Sequence, residues 1–365
     1  MQRTIAIRFC PPTPVWGSQR TFAEEFLPRL LSHLPNPHVY SSLSSLRDFP
    51  GPIRPAKNPL GHPGIFRLLR ALLHYHFTFS RELSAAGAGV LFCPFNNEGV
   101  AVPRDIRQVL IVHDLVPLLF PRNYLLSRML WATFYRGAIR RAHHIICVSQ
   151  ATRADLIRLL KINPARVSVV YNGFTPPLQV LPRAPRAQIL YVASAHSPHK
   201  NIGRLLVAFA ESTLRQTHQL RIVGVPHHRT TPKLKAYIRE AGLDGRVHFL
   251  SRISNELLEL EYASAEMLVY PSLCEGFGLP LLEAMARGVP VCAAQGSAVS
   301  EIGGDAAIYF DPLNPGHIGW TMEKLSNDAS LRADLVARGL TRVKEFSWEK
   351  SAAQCAAICL KAAVD

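Results

Sequence analysis

Residues 270–291 read YPSLCEGFGLPLLEAMARGVPV, in the order strand, loop, helix, strand. Glu275 closes the loop that leaves the first strand, Gly276 and Gly278 keep the backbone open, and Pro280 suits the first turn of a helix, where its missing N–H is not needed. The unpaired N–H groups of such a helix start attract phosphate or sugar hydroxyls. Glu283 follows Glu275 by eight residues, which places it inside the helix, about one turn from its start. A carboxylate there can accept two hydrogen bonds from a diol such as a ribose. Without their neighbours the two acids have a plainer reading, Glu275 as a helix-capping acid and Glu283 as part of a solvated face.

The same alternation runs outward in both directions. Short apolar, β-rich runs precede it at TIAIRF (4–9), GVLFCP (89–94), QVLIVHD (108–114), HIICVS (144–149) and RVSVVYN (166–172). A second set comprises QILYVA (188–193), LRIVG (220–224), RVHFL (246–250), MLVYP (267–271) and VPVCAA (289–294). Helical patterns lie between them, at 19–34, 123–142, 201–215, 279–287 and 330–345. Nearly continuous apolar strands separated by helices predict parallel sheets covered on both faces. The fold class is therefore α/β and doubly wound, with ligand crevices at the carboxyl ends of the strands. At 365 residues the chain exceeds what one core usually organises, so two domains are expected. The break falls at FTPPLQVLPRAPR (174–186), which carries four prolines and no periodicity and reads as a linker. The expected organisation is residues 1–173, a linker at 174–187, and a second domain at 188–346. Pro50 to Pro63 reads as a loop, and no short repeat is present.

At this point the sequence resembles a known family. EGFGLPLLEA (275–284), GVPV (288–291) and GGDAAIYFDP (303–312) match the Glu-x7-Glu region of retaining glycosyltransferases of the GT-B fold, in particular glycosyltransferase family 4, the glycosyl transferases of group 1. The resemblance implies two Rossmann-like domains facing a central cleft. It puts Glu275 near the donor sugar, the backbone of Gly276, Phe277, Gly278 and Leu279 on sugar hydroxyls and phosphate, and Glu283 on the ribose. SPHKN (197–201) follows the strand QILYVA, and its Lys200 matches the family's lysine on the donor diphosphate. The arginine that many members carry six residues earlier is Ser194 here, and His199 or an arginine elsewhere is the candidate to compensate. HDLVP (113–117) matches a family position where a histidine reaches the transferred sugar. His113 takes that role, while Asp114 starts a helix. Gly17 stands where the family has glycine near the phosphates, although the usual glycine pair is absent.

The catalytic residues so implied are His113, Lys200 and Glu275. Gly17, Ser194, His199, Gly276, Phe277, Gly278, Leu279 and Glu283 are implied to bind donor. VYNGF (170–174), Ser149, Asp155 and Leu156 match as fold markers, and FSWEKSAAQCAAICLKA (346–362) matches the last helix, which crosses back onto the first domain at about 347–365. The implied chemistry is retaining transfer from a GDP- or UDP-sugar to a glycan or lipid-linked acceptor, with no cofactor, no metal and no separate base. The HDLVP and SPHKN variants look most like mannosyltransferases of polysaccharide pathways, which favours GDP-mannose.

Composition narrows the alternatives. Hydrophobic residues make up 48% and charged residues 18%, a globular balance. No apolar run approaches the ~18 to 20 residues of a membrane-spanning helix, and the N-terminus lacks a secretory pattern, so a cytoplasmic location is expected. The seven cysteines form no Cys-x-x-Cys pair and read as buried, reduced thiols. His143-His144 and His227-His228 lack neighbouring ligands, so no metal site is expected. The net charge of +15 is uneven: residues 1–173 hold 21 Lys and Arg against 8 Asp and Glu, a net of +13. That half is expected to face something anionic. GIFRLLRALLHYHFTF (64–79) sets Arg67, Arg70 and His74 apart from Phe66, Leu69, Leu72 and Leu73, as in a helix lying on the inner face of an anionic membrane or packing its leucines into a core. No helix-turn-helix, zinc or RNA-binding pattern accompanies the charge, so no nucleic-acid partner is expected. The lack of G-x-G-x-x-G after a strand argues against a dehydrogenase.

Overall fold

The computed structural model describes residues 4–9, 18–41, 53–55, 79–95, 103, 105–120, 136–195, 197–228, 230–251 and 253–364. The chain divides into two compact units, Met1–Gly173 with Ser347–Asp365, and Phe174–Phe346.

The first unit is built on a seven-stranded sheet in the order β3-β2-β1-β4-β5-β6-β7. Its strands are β1 Thr4–Phe9, β2 His38–Ser41, β3 Ile53–Pro55, β4 Ala88–Cys93, β5 Arg107–Val112, β6 His144–Cys147 and β7 Val167–Val169. All pairings are parallel. Every residue of β4 is buried, as expected of a strand covered on both faces. The final helix, Trp348–Val364, belongs to this unit. Its Trp348 ring lies 5.7 Å from Phe22 and 6.5 Å from Phe26, and Arg107 Nη1 donates to the Ala362 carbonyl at 3.0 Å near its C-terminus. Gly173 is required beside it, because a Cβ there would meet the Trp348 backbone nitrogen at 2.1 Å.

The second unit carries a six-stranded parallel sheet in the order β10-β9-β8-β11-β12-β13. The strands are β8 Gln188–Ala195, β9 Gln219–Val225, β10 Val247–Leu250, β11 Met267–Tyr270, β12 Val291–Ala294 and β13 Ala307–Phe310. The helix Ile202–Glu211 buries Leu205, Leu206 and Phe209 against one face with Ile189, Ile222 and Phe310. Each such side chain contributes roughly 1.5–3 kcal/mol by leaving water.

Several expectations differ from the structure. Within the stretch read as a loop from Pro50 to Pro63, Ile53–Pro55 forms the edge strand β3 on β2, a place where proline is tolerated because no further strand needs its N–H. The helix expected over 201–215 stops at Glu211, because extended Ser212 caps a separate 3₁₀ turn, Thr213–Gln216, by accepting from Leu214 N. Residues 174–187 hold no helix or strand, yet their later part is pinned to the second unit. Ala184 N and Arg186 N donate to the carbonyls of Ala263 and Ser264, and Arg183 Nη1 donates to those of Tyr262 and Ala265. Cys10, Gly17, residues 64–78 and residues 123–135 lie outside the described residues.

Candidate active site

In the second sheet, β8 and β11 are neighbours, but the chain leaves β8 toward β9 and leaves β11 toward β12 on the opposite side. Connections that diverge in this way open a crevice at the carboxyl ends of the two strands. The loops that follow β8 and β11 line it.

After β8 the chain makes a 3₁₀ turn, Pro198–Lys200, and passes through Asn201 at φ 60°, ψ 25°. Asparagine tolerates this left-handed conformation better than most residues. Asn201 Nδ2 donates to the carbonyls of Pro271 at 3.0 Å and Pro312 at 2.7 Å, tying the loops after β8, β11 and β13 together. Leu273 N donates to the His199 carbonyl at 2.9 Å. Lys200 is thereby delivered to the β11 loop, where its Nζ lies 2.6 Å from Glu275 Oε1, the two side chains being 11% and 13% exposed. The Tyr270 hydroxyl, from the last residue of β11, donates to the same oxygen at 2.8 Å. Burial works to raise the pKa of Glu275, but the Lys200 charge and hydrogen bond, together with the nearby Ser272 hydroxyl, hold the carboxyl below its ordinary value.

His199 is buried beside this pair, and burial with the Lys200 charge pushes its pKa down to about 4, although Glu275 opposes the shift. His199 is therefore neutral near pH 7, which leaves an arginine elsewhere as the other candidate for the second positive charge. Arg204, one turn beyond Lys200, donates from Nη1 to Asn201 Oδ1 at 3.0 Å and brings a guanidinium to the same loop. Ser194 lies in β8 with its side chain outside the described residues.

Gly276, Phe277 and Gly278 carry the chain from Glu275 to the helix Leu279–Ala286. Gly278 adopts φ 116°, ψ 45°, which only glycine occupies without strain. Phe277 is buried and meets the Phe346 ring edge-on at 5.6 Å. Leu279 is the first helical residue and Pro280 the second, so the start of the helix faces the crevice end of β11 with its N–H groups. One turn in, Glu283 is not part of a solvated face: the Tyr262 hydroxyl donates to its Oε2 at 2.8 Å. Burial raises the pKa of Glu283 above its usual value, against the opposing effects of Tyr262 and Arg287. Arg287 is itself held by a two-point ion pair with Glu259 and lies 4.7 Å over the Tyr262 ring.

The structure thus brings Lys200, His199 and Glu275 together and places Gly276–Leu279 and Glu283 on the adjoining loop and helix. His113 belongs to the first unit, just past β5. Its Nε2 lies 2.8 Å from the Pro94 carbonyl, with the rings of Phe22 and Phe95 at 4.9 and 5.6 Å. Burial lowers its pKa to about 4, against the Pro94 hydrogen bond. Since a carbonyl only accepts, the neutral ring carries its proton on Nε2. Asp114 Oδ1 accepts from Val116 N at 3.1 Å, just ahead of the short helix Val116–Leu119, whose cap position is Leu115. Tyr270, Asn201, Arg204 and Tyr262 were not singled out in the sequence, where each looks like an ordinary strand or helix residue. Among the described residues, no group of three His, Cys, Asp or Glu side chains is placed to hold a metal ion, and no helix is long and apolar enough to cross a membrane.

Comparison with known proteins matches residues 27–178 to the family described as Glycosyltransferase Family 4 and residues 179–342 to Glycosyl transferases group 1. The O-antigen chain mannosyltransferase B of Escherichia coli is 29% identical over 262 residues, covering 68% of either chain. The MMP alpha-(1->4)-mannosyltransferase of Mycolicibacterium hassiacum is 33% identical over 230 residues, 61% of this chain and 55% of that one. Among solved structures, sucrose-phosphate synthase from Thermosynechococcus elongatus superposes with a TM-score of 0.72 at 18% identity, covering 98% of both chains. The fold is the GT-B fold.

Proposed function

The chain belongs to the glycosyltransferases of family 4 and group 1, and from that premise we propose that it moves mannose from GDP-mannose to a glycan or lipid-linked acceptor, retaining the anomeric configuration and using no divalent metal ion. The observation that carries the reading is the Lys200–Glu275 pair at the switch point of the second sheet. The sugar–phosphate bond breaks as negative charge gathers on the departing diphosphate, and fixed positive groups aimed there lower the barrier. Lys200 and the helix start at Leu279 supply them. Glu275 faces the transferred sugar, Glu283 holds the ribose, and neutral His113 meets a sugar hydroxyl. The acceptor oxygen bonds to the anomeric carbon on the face the diphosphate leaves, and its proton passes to the leaving diphosphate, so no protein base is needed. The choice of mannose is supported by the relatives named as mannosyltransferases. The basic first unit is read as docking peripherally on the inner face of an anionic membrane that presents the acceptor.

Thermal-shift measurements with GDP, UDP and their sugars test the donor. A ligand of the folded state raises the melting temperature by mass action, so GDP-mannose is expected to give the largest rise. A larger rise with a UDP-sugar moves the donor to that nucleotide.

A further inference from the structure

The described residues offer three clusters that the sequence did not mark: the Asn201 clamp, the Tyr262–Glu283–Arg287 group, and the tyrosine beneath Glu275. The last is carried furthest by its geometry. Glu275 Oε1 accepts from two donors, Lys200 Nζ at 2.6 Å and the Tyr270 hydroxyl at 2.8 Å. They differ in one respect. Lys200 sits at the end of a flexible four-carbon stem. Tyr270 is a rigid side chain only 2% exposed, with its ring stacked 6.5 Å from that of Tyr191.

We propose that Tyr270 is a positioning residue of the transfer step: its hydroxyl keeps the Glu275 carboxylate in place when Lys200 is drawn away to the donor diphosphate. This rests on the assignment of Lys200 to the diphosphate and Glu275 to the sugar. While the two are paired, each satisfies the other in a largely buried site. Once a diphosphate takes the ammonium, the carboxylate would lose a charged partner, and a buried carboxylate without donors is costly. Tyr270 remains. The charged and titratable groups around Glu275 are Lys200 and His199 from the β8 loop, Tyr191 from β8 and Tyr270 from β11. His199 is neutral near pH 7. Among the described residues the Tyr191 hydroxyl has no hydrogen-bond partner, so Tyr270 alone of the two phenols holds the carboxylate.

The test uses the full chain and two arms. In the first, release of nucleoside diphosphate is followed with GDP-mannose and UDP-glucose as probes. Tyr270→Phe is expected to lower kcat about 10- to 100-fold, the scale of a hydrogen bond to a charged group, with the donor KM within about twofold. The acid limb of its kcat profile moves to higher pH, because the charged form of Glu275 has lost a donor. Tyr191→Phe removes a hydroxyl from the partner ring and is expected to leave kcat and the profile unchanged. An unaltered kcat and profile in Tyr270→Phe overturns the proposal. Wild-type turnover in Glu275→Gln, by contrast, refutes the underlying site assignment. The second arm needs no donor. In crystals of Lys200→Met the Glu275 carboxylate stays on Tyr270, and in Lys200→Met with Tyr270→Phe it turns away. A carboxylate that leaves Tyr270 in the single variant, or stays put in the double one, overturns the proposal.

Discussion

Lys200 and Glu275, 75 residues apart in sequence, close a 2.6 Å ion pair between the ends of two adjacent parallel strands. The pair puts a cation and an anion at the one point of the sheet where the connections diverge. Glu275→Gln and Lys200→Ala are each expected to remove most turnover, by about 100- to 1000-fold, as loss of a transition-state contact does. Nucleotide release from the donor measures it, with circular dichroism as the check on folding. Near-normal turnover in folded Glu275→Gln would remove this carboxylate from the mechanism.

Glu283 predicts a different signature. A ribose contact is made equally before and during transfer, so its loss weakens donor binding more than it slows the chemistry. Glu283→Ala is expected to raise the dissociation constant of GDP in calorimetry with kcat changed less. Tyr262→Phe, which removes the hydroxyl on Glu283 Oε2, should move in the same direction by a smaller amount. An unchanged dissociation constant in Glu283→Ala counts against the ribose role.

Much of this site was legible in the sequence because its chemistry is local. Glu275, the glycines and Glu283 sit on one loop and helix, and Lys200 follows one strand end. The strands of the second unit announced themselves as apolar runs because they are buried on both faces. What stayed hidden depends on long-range pairing. Asn201 and Tyr270 matter through partners on other loops or through an orientation that residue type does not disclose. The strand His38–Ser41 is four residues long and follows Pro35 and Pro37, too short for a periodic signal. The neutrality of His199 comes from burial, which the motif SPHKN does not reveal.

The two buried histidines make stability depend on pH. His113 and His199 each have a pKa of about 4, against an ordinary 6.5. A folded pKa below the unfolded one favours the neutral form. The stabilisation is complete above pH 6.5 and is lost as pH falls through 6.5 toward 4. Each histidine accounts for about 3 kcal/mol over that window. The melting temperature is expected to fall steeply across it, and His113→Asn should flatten the curve. A variant whose curve runs parallel to the wild type would mean that His113 titrates normally.

Charge on the leaving group also bears on metals. If Lys200 and the helix start at Leu279 stabilise the diphosphate, turnover is expected to persist in EDTA. Loss of activity in EDTA, restored by magnesium or manganese, would assign that work to a metal ion instead.

The basic first unit carries the last prediction. Residues 1–173 hold a net charge of +13, and the described helix Arg136–Arg141 buries Ala138 and Ile139 while leaving Arg136, Arg140 and Arg141 exposed. Guanidiniums on the outer face of a helix are free to meet anionic headgroups, at about 1 kcal/mol for each one near the surface. The full chain is therefore expected to co-sediment with liposomes containing phosphatidylserine or phosphatidylglycerol and to ignore neutral phosphatidylcholine. Binding should weaken as salt rises, because surface charges are screened over ~8 to 10 Å at ordinary ionic strength. Arg140→Glu with Arg141→Glu reverses two of the exposed charges and should weaken sedimentation at fixed salt. These arginines belong to the first unit and Lys200, Glu275 and Glu283 to the second, so the variant should keep its affinity for GDP, which separates membrane docking from nucleotide binding. If the wild type stays in solution with anionic liposomes even at low salt, the membrane reading fails, and the positive charge is then better matched to a soluble anionic acceptor.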